Sequence, residues 1–525
     1  MNCASWEKEK NCYRREWKLD MPPGSNFMYR EANNMSMMLE PCAIFDPHMS
    51  EGDFSSQDVI VVGSPKEKKY LLAGAVTAFR SLTYFSLIKR AGLQHSILMR
   101  QPDIMEGETP EEVIVLEGPD WRELLIQYAE TVKRKMNVPD FDTSKNLTGY
   151  CSWYYYYADV TEKNFLDNVD ALSAKRSSPF CAGIAQIDDG YQTFQGDWLD
   201  QDPSWPTPLS EIAGKAIAGG MRAGIWLMPF QASTASRVFR EHRDWFVKDE
   251  NGEPKVSLGW SPAPDHLWAC LDTTQPAVRE HLAGIFKTLR SWGYSYFKLD
   301  GLSFGLMEGK RSDPTATAVS AFRLGMKTIR EAVPDSTILG CCPPFMACLG
   351  YIDSARVTCD THASRRPILN VWHMLESRWW MFDRLFRADP DVLIARSDRG
   401  TQTLGESRIS VLGGILTGIA ITSDNLAVME PERIELLGRG AKYRMRNVMP
   451  LQWDLCVWAK IFTGTVDGCK AVAVVNDSDS EMSINLSEIG LREKQVEELL
   501  HPMGYISGNT VVVPPFDALL LKELA

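Results

Sequence analysis

The sequence predicts an α/β fold: a (β/α)8 TIM barrel carrying N-terminal and C-terminal β-sandwich domains. Three observations predict it. From about residue 145, apolar strand-like runs alternate with helical patterns over roughly 290 residues, and eight such alternations are the signature of a closed parallel barrel. No Gly-rich phosphate loop follows the first of these runs, where Thr148 to Tyr157 contains a single glycine; an open doubly wound sheet usually announces itself with one. On either side of the alternation, short strand patterns recur between Gly, Pro and Asp, as in a sandwich.

The elements follow in order. Val59–Val62, Tyr70–Val76, Thr83–Ile88 and Val113–Leu116 are short β-type runs. A helix is expected from Asp120 to Lys135, where Trp121, Leu124, Leu125, Tyr128 and Val132 fall at helical spacing and Pro139 lies just beyond. The barrel strands are expected at 148–154, 183–187, 222–227, 294–299, 336–341, 355–359, 391–395 and 417–422. Helices are expected at 161–174, 208–219, 276–291, 314–332, 370–387 and 404–414. Thr161, and Thr274 two residues before Pro276, suit helix starts, because Thr satisfies orphan N–H groups and Pro is tolerated in the first turn. Strand patterns return at Leu455–Ile461, Lys470–Val475 and about 510–521. The expected domains are therefore 1–140 (sandwich plus linker helix), 141–445 (barrel) and 446–525 (sandwich).

Composition narrows the function. With 44% hydrophobic and 24% charged residues, the 525-residue chain reads as a soluble globular protein. The net charge of −12 argues against nucleic acid or an anionic membrane as partner. No run approaches the ~18 apolar residues of a membrane span, and Met1 to Lys10 holds no signal-like apolar region. The 12 Cys then read as reduced thiols and the location as cytoplasmic. Cys341, Cys342 and Cys348 match no zinc spacing, and the eight His form no HExxH motif. Neither a metal nor an organic cofactor is expected, and a homo-oligomer is compatible with the reading. The 16 Trp, 16 Tyr and 21 Phe suit a cleft whose flat rings cover pyranose faces, although large cores also use them.

Asp300 and Asp360 each close a strand-like run, with Lys298 and Arg356 behind them on the same face. In a parallel barrel that end of the strand carries the chemistry. Two carboxylates from different strands suit glycoside chemistry, one attacking and one donating a proton, and a nearby cation favours the ionised form that a nucleophile needs. A purely structural ion pair would place the same residues together. Asp188 and Asp189 end another run; ionised carboxylates only accept hydrogen bonds, which suits a hydroxyl-rich ligand, while a helix cap or metal site is the alternative. Trp153, Tyr154 and Trp226 fall at strand ends and are candidate pocket walls. Trp372, Trp379 and Trp380 lie on an expected helix and read as packing.

Six segments in order carry a family resemblance: Cys151–Tyr154, Ile187–Tyr191, Gly196–Leu199, Gly224–Phe230, Tyr296–Asp300 and Arg356–Thr361. The chain resembles the α-galactosidases of glycoside hydrolase family 36, in clan D, from about Thr148 to Asn447. The resemblance implies retaining hydrolysis of terminal α-linked galactose from oligosaccharides, with Asp300 as nucleophile and Asp360 as acid/base. It implies that Asp188, Asp189, Trp226, Lys298 and Arg356 hold the sugar, that Cys341 lies near its C2, and that Trp6, in what looks like part of a family Trp motif, reaches the pocket. The chain departs from the family in its shorter N-terminal region and at Cys341–Pro344. An α-N-acetylgalactosaminidase and a raffinose-synthase-like galactosyl transferase are the neighbouring readings, and a non-catalytic sugar-binding protein is the reading from another class.

Overall fold

The computed structural model describes the chain apart from residues 1–2, 8–11, 19–26, 31–42, 46–51, 90–95, 175–178, 260–265, 452–459, 493–494, 502–505 and 525. Eight parallel strands form its centre: β1 (Leu147–Cys151), β2 (Ile184–Ile187), β3 (Arg222–Leu227), β4 (Tyr294–Leu299), β5 (Thr337–Gly340), β6 (Ser354–Arg356), β7 (Arg387–Asp389) and β8 (Ile419–Thr422). Each pairs with the next from β1 to β7, and β8 pairs with β1. A parallel bridge from Leu393 to Thr422 brings the two edges together, so the barrel is nearly closed.

The strands are buried on both faces, as a sheet wrapped by helices requires. Their two parities largely separate, although Trp226 joins the larger cluster. Ile184, Tyr296, Leu339, Ile419 and Ile421 share one apolar cluster inside the barrel. Ala185, Ile187, Phe297, Leu299 and Ile338 join the larger cluster beneath the helices. The longer helices are α1 (Trp121–Lys135), α2 (Glu162–Ala174), α3 (Leu209–Ala218), α4 (Pro276–Ser291), α5 (Ala318–Ala332), α6 (Arg365–Arg378), α7 (Leu404–Thr417) and α8 (Pro431–Lys442). Thr161 and Asn164 exchange side-chain bonds at the start of α2. Thr317 and Thr403 form capping boxes on α5 and α7. No helix among the described residues is long and apolar enough to cross a membrane.

Several expectations need correction. The seventh strand lies at Arg387–Asp389, not 391–395. Pro390 follows it and Asp391 has φ of 70°, which breaks the strand before the apolar run of Val392 to Ala395 begins. The sixth strand stops at Arg356 rather than 359. The helix expected at 370–387 is α6 at Arg365–Arg378, followed by a tight turn at Trp379–Met381. Gln275, not Thr274, occupies the cap position before Pro276. Between β3 and β4, Gln231–Ser233, Val256–Leu258 and Leu267–Cys270 form a small antiparallel sheet that sequence patterning missed.

Before the barrel stand two five-stranded antiparallel sheets. Ile60, Val62 and Ala73 of one pack with Phe85, Leu87, Ile97 and Met99 of the other. After the barrel, a five-stranded and a three-stranded antiparallel sheet share Val472, Val474, Ile484, Val511, Val513, Leu519 and Leu521. Most of the expected strand at Leu455–Ile461 lies outside the described residues.

Helix α1 joins the three regions. The Tyr128 hydroxyl donates to the Ala75 carbonyl at 2.7 Å, and its ring meets Trp380 at 5.6 Å. Trp121 sits edge-on to Trp379 at 6.2 Å, and Arg122 donates to the Pro450 carbonyl at 3.0 Å. Trp372, Trp379 and Trp380 are all buried, as packing residues. Because Trp379 is fully enclosed, Trp379→Ala should leave a cavity that costs about 3–5 kcal/mol. Urea unfolding of the variant measures it; a midpoint matching the parent's would show that this contact carries little.

Candidate active site

Register decides which side chains enter the barrel. Parallel neighbours in register point to the same face. Trp226 pairs with Lys298, Lys298 with Leu339, Cys151 with Gln186, and Arg356 with Asp389. Two residues on from Gln186, Lys298 and Leu339, the same parity carries Asp188, Asp300 and Cys341. A ring of polar groups therefore converges at the C-terminal mouth, where barrels place their chemistry.

Asp300 follows β4, and its backbone N–H donates to the Leu227 carbonyl at 2.7 Å. Its carboxylate accepts from the Trp226 indole N–H at 3.1 Å and from the Gly301 N–H at 2.7 Å. Gly301 has φ of 57°, a left-handed conformation that favours glycine in this turn. Burial would raise the Asp300 pKa. The charges of Lys298 and Arg356, with hydrogen bonds from the Cys341 thiol and Trp226, outweigh it and hold the carboxyl below its ordinary value. The side chain stays half-buried at the mouth.

Asp360 lies in the loop after β6. Arg356, itself buried, reaches its carboxylate at 2.7 Å. The same guanidinium lies 3.9 Å from Asp391 and donates to the Cys342 sulfur at 3.4 Å. Asp391 accepts from the Tyr154 hydroxyl at 2.5 Å and from the Thr361 N–H at 2.9 Å, which fixes the residue after Asp360. Burial raises the Asp391 pKa, with Arg356 opposing. Burial and the Asp391 charge together push Asp389 up to about 7.

Lys298 is 5% exposed and its ammonium lies 2.9 Å from Asp188, which is 2% exposed. The same Asp188 oxygen accepts from Gln186 at 2.6 Å and Cys151 at 3.2 Å. Its other oxygen accepts from the Asp189 N–H at 3.0 Å. Burial would lower the Lys298 pKa, but Asp188 and the neighbouring Cys and Asp300 groups hold it well above normal. Asp189 accepts from Gln192 at 2.5 Å.

The structure thus brings together Asp188, Asp189, Trp226, Lys298, Asp300, Cys341, Arg356 and Asp360. Trp153 and Tyr154 lie on a short helical turn, Trp153–Tyr156, rather than at a strand end. Trp153 is half-buried against Tyr157 at 5.5 Å. The Tyr154 ring is 1% exposed, and it reaches the site through its hydroxyl. The Trp6 side chain lies outside the described residues. Sequence reasoning missed Cys151, Gln186, Asp389 and Asp391. The signal for the last two was present in Asp389–Asp391, carboxylates at a strand end like Asp188–Asp189, but the misplaced seventh strand put Asp391 at its start. Among the described residues, the Asp300, Cys341 and Cys342 donor atoms, all within 4.8 Å of one another, are the group able to hold a metal.

The family model described as Melibiase matches residues 107–333. An "A type blood alpha-D-galactosamine galactosaminidase" from Flavonifractor plautii is 27% identical over 139 residues, covering 25% of this chain and 13% of that protein. "Alpha-galactosidase 1" of Pediococcus pentosaceus is 22% identical over 201 residues, covering 37% and 26%. The matched segments thus span about a quarter or less of these relatives' own lengths. Among solved structures, TtGalA, an α-galactosidase from Thermus thermophilus in complex with p-nitrophenyl α-D-galactopyranoside, superposes with a TM-score of 0.67 at 23% identity, covering 89% of this chain and 93% of that one. The same protein is also solved with stachyose, at a TM-score of 0.64 and 23% identity, covering 83% and 93%. The likeness in structure supports the barrel fold, and the Melibiase match covers the first part of the barrel together with the helix before it.

Proposed function

We propose that the protein is a retaining α-galactosidase acting on α-galactoside oligosaccharides, with Asp300 as nucleophile and Asp360 as acid/base. The observation that carries this is the Asp300 carboxylate, half-open at the barrel mouth and kept ionised by Lys298 and Arg356, with Asp360 held by the same Arg356. Asp300 attacks the anomeric carbon while Asp360 gives its proton to the leaving oxygen. The β-galactosyl ester on Asp300 is then hydrolysed by water that Asp360 deprotonates. This double displacement needs the carboxyls about 5–5.5 Å apart. Trp226 and Gly301 orient the nucleophile through their N–H groups.

Lys298, Asp188 and Asp189 form the floor that receives sugar hydroxyls. Four protein donors already converge on Asp188, so its chief part is to anchor Lys298. Tyr154 and Asp391 support the Asp360 loop, and Trp153 and Cys341 border the sugar. The stachyose complex of TtGalA fits an oligosaccharide substrate. We read the domains as 1–140, 141–445 and 446–525, with the flanking sheets as sandwiches.

Product stereochemistry tests the two roles. Asp300→Ala should abolish turnover of nitrophenyl α-galactoside, and added azide should restore activity and yield β-galactosyl azide. Asp360→Ala should lose about 10²–10⁴-fold on substrates with poor leaving groups, far less on activated aryl galactosides, and yield α-galactosyl azide. Near-parent activity in Asp300→Ala, or equal losses on both substrate types in Asp360→Ala, would reject the respective role.

Lys298 gives a pH prediction. Asp300 must be ionised, and its pKa is depressed, so activity should persist as pH falls until below the ordinary aspartate value of about 3.9. Lys298→Met removes the largest of the charges that oppose burial, so the acid limb of kcat/KM should move to higher pH. The depressed Asp300 pKa also contributes stability above the unfolded value, lost as pH falls through the folded one. Removing Lys298 leaves Asp188 buried without its cation, which should cost about 3–5 kcal/mol. Adding Asp188→Asn should recover part of that. An unmoved acid limb in a folded Lys298→Met variant would contradict this coupling.

A further inference from the structure

Cys341 and Cys342 are adjacent, and in an extended chain adjacent side chains point to opposite faces. Cys341 leaves β5 on the inward parity and is fully buried. Cys342 should therefore turn away from the site. Instead it has φ of 48°, a left-handed conformation for a non-glycine residue immediately before a proline. Its thiol shares the Asp300 side of the loop. Both sulfurs and an Asp300 oxygen lie within 4.8 Å of one another. Backbone outliers of this kind gather at functional sites.

The donor set selects a ligand. Two thiols favour soft or borderline cations, whereas magnesium and calcium want oxygen throughout. Zinc bonds of about 2.3 Å to sulfur and 2.0–2.2 Å to carboxylate oxygen reach across a triangle whose corners lie within 4.8 Å of one another. Charge also fits. A divalent ion displaces one proton from each thiol, forms two metal–sulfur bonds and releases both protons. Two thiolates and one carboxylate around it leave one net negative charge, and Arg356, already 3.4 Å from the Cys342 sulfur, stands opposite.

We propose that Cys341, Cys342 and Asp300 form a site for a thiophilic divalent metal ion such as zinc or cadmium, whose occupancy takes the Asp300 carboxylate out of catalysis. The inhibitory half rests on reading Asp300 as the nucleophile; the binding half does not. The site competes with substrate because the metal occupies the carboxylate that must attack the anomeric carbon.

Cadmium titration of the full chain tests it, with the exposed Cys181 replaced by Ser to remove a competing thiol. Binding is followed by the ultraviolet thiolate-to-metal band and, in parallel, by nitrophenyl α-galactoside hydrolysis. One equivalent should produce the band and abolish activity, EDTA should reverse both, and galactose should oppose both. Cys342→Ser should show no band and should keep in cadmium whatever activity it has without it. Absence of the band, or its persistence in Cys342→Ser, would overturn the site. A band with activity retained would overturn the inhibition. A band in a protein that cleaves no galactoside would uphold the site and reject the hydrolase reading alone.

Discussion

The buried Lys298 ammonium is the constraint on which the rest of the site depends. A lone cation at 5% exposure would be costly, so its surroundings are arranged around it. Asp188 meets it at 2.9 Å from a different strand. Gln186 and Cys151 complete the Asp188 shell, and the Asp189 N–H turns back onto it. What remains of the Lys298 field falls on Asp300, whose pKa burial would otherwise raise. One ion pair thus stabilises the centre of the barrel and sets the charge of the group at its mouth. Arg356 repeats the design on the other side, bracing Asp360 and facing Asp391.

Strand parity makes such a site buildable. Each barrel strand turns one set of side chains toward the helices and the other inward, and register aligns the inward set of neighbouring strands. Ile184, Tyr296 and Leu339 fill the lower interior. One step further along the same parities the residues become Gln186, Lys298 and Cys341, and beyond these stand Asp188 and Asp300. Apolar layers below exclude water and polar layers above use the lowered dielectric. The loops that carry Asp360 and Asp391 are then fixed individually, by the bonds of Thr361 and Tyr154 to Asp391.

Much of this was legible in the sequence, and the failures have physical reasons. Arg222–Leu227, Tyr294–Leu299 and Pro276–Ser291 fall where periodicity put them, because continuous apolar runs and a proline at the helix start leave little choice. The face shared by Lys298 with Asp300 follows from spacing alone, whereas Arg356 meets Asp360 through the loop that follows a strand ending at Arg356. Spacing does not say what stands across the barrel, so the partnership of Lys298 with Asp188 emerges only in three dimensions. The run Val392–Ala395 looks like a strand because it is apolar. It is buried without being paired beyond one bridge, since Pro390 and the positive φ of Asp391 end β7 first. The strands at Gln231–Ser233 and Val256–Leu258 are three residues long and carry too few alternations to reveal a period.

The central claim is that Asp300 forms a covalent bond to the sugar. Incubation with a fluorinated galactosyl fluoride, which slows release of the intermediate more than its formation, tests it directly when followed by proteolysis and mass spectrometry. The account predicts one adduct per chain, on the peptide containing Asp300, with loss of activity in step with labelling. An adduct on Asp360 or another carboxylate, or turnover of the reagent with inversion and no adduct, would contradict it.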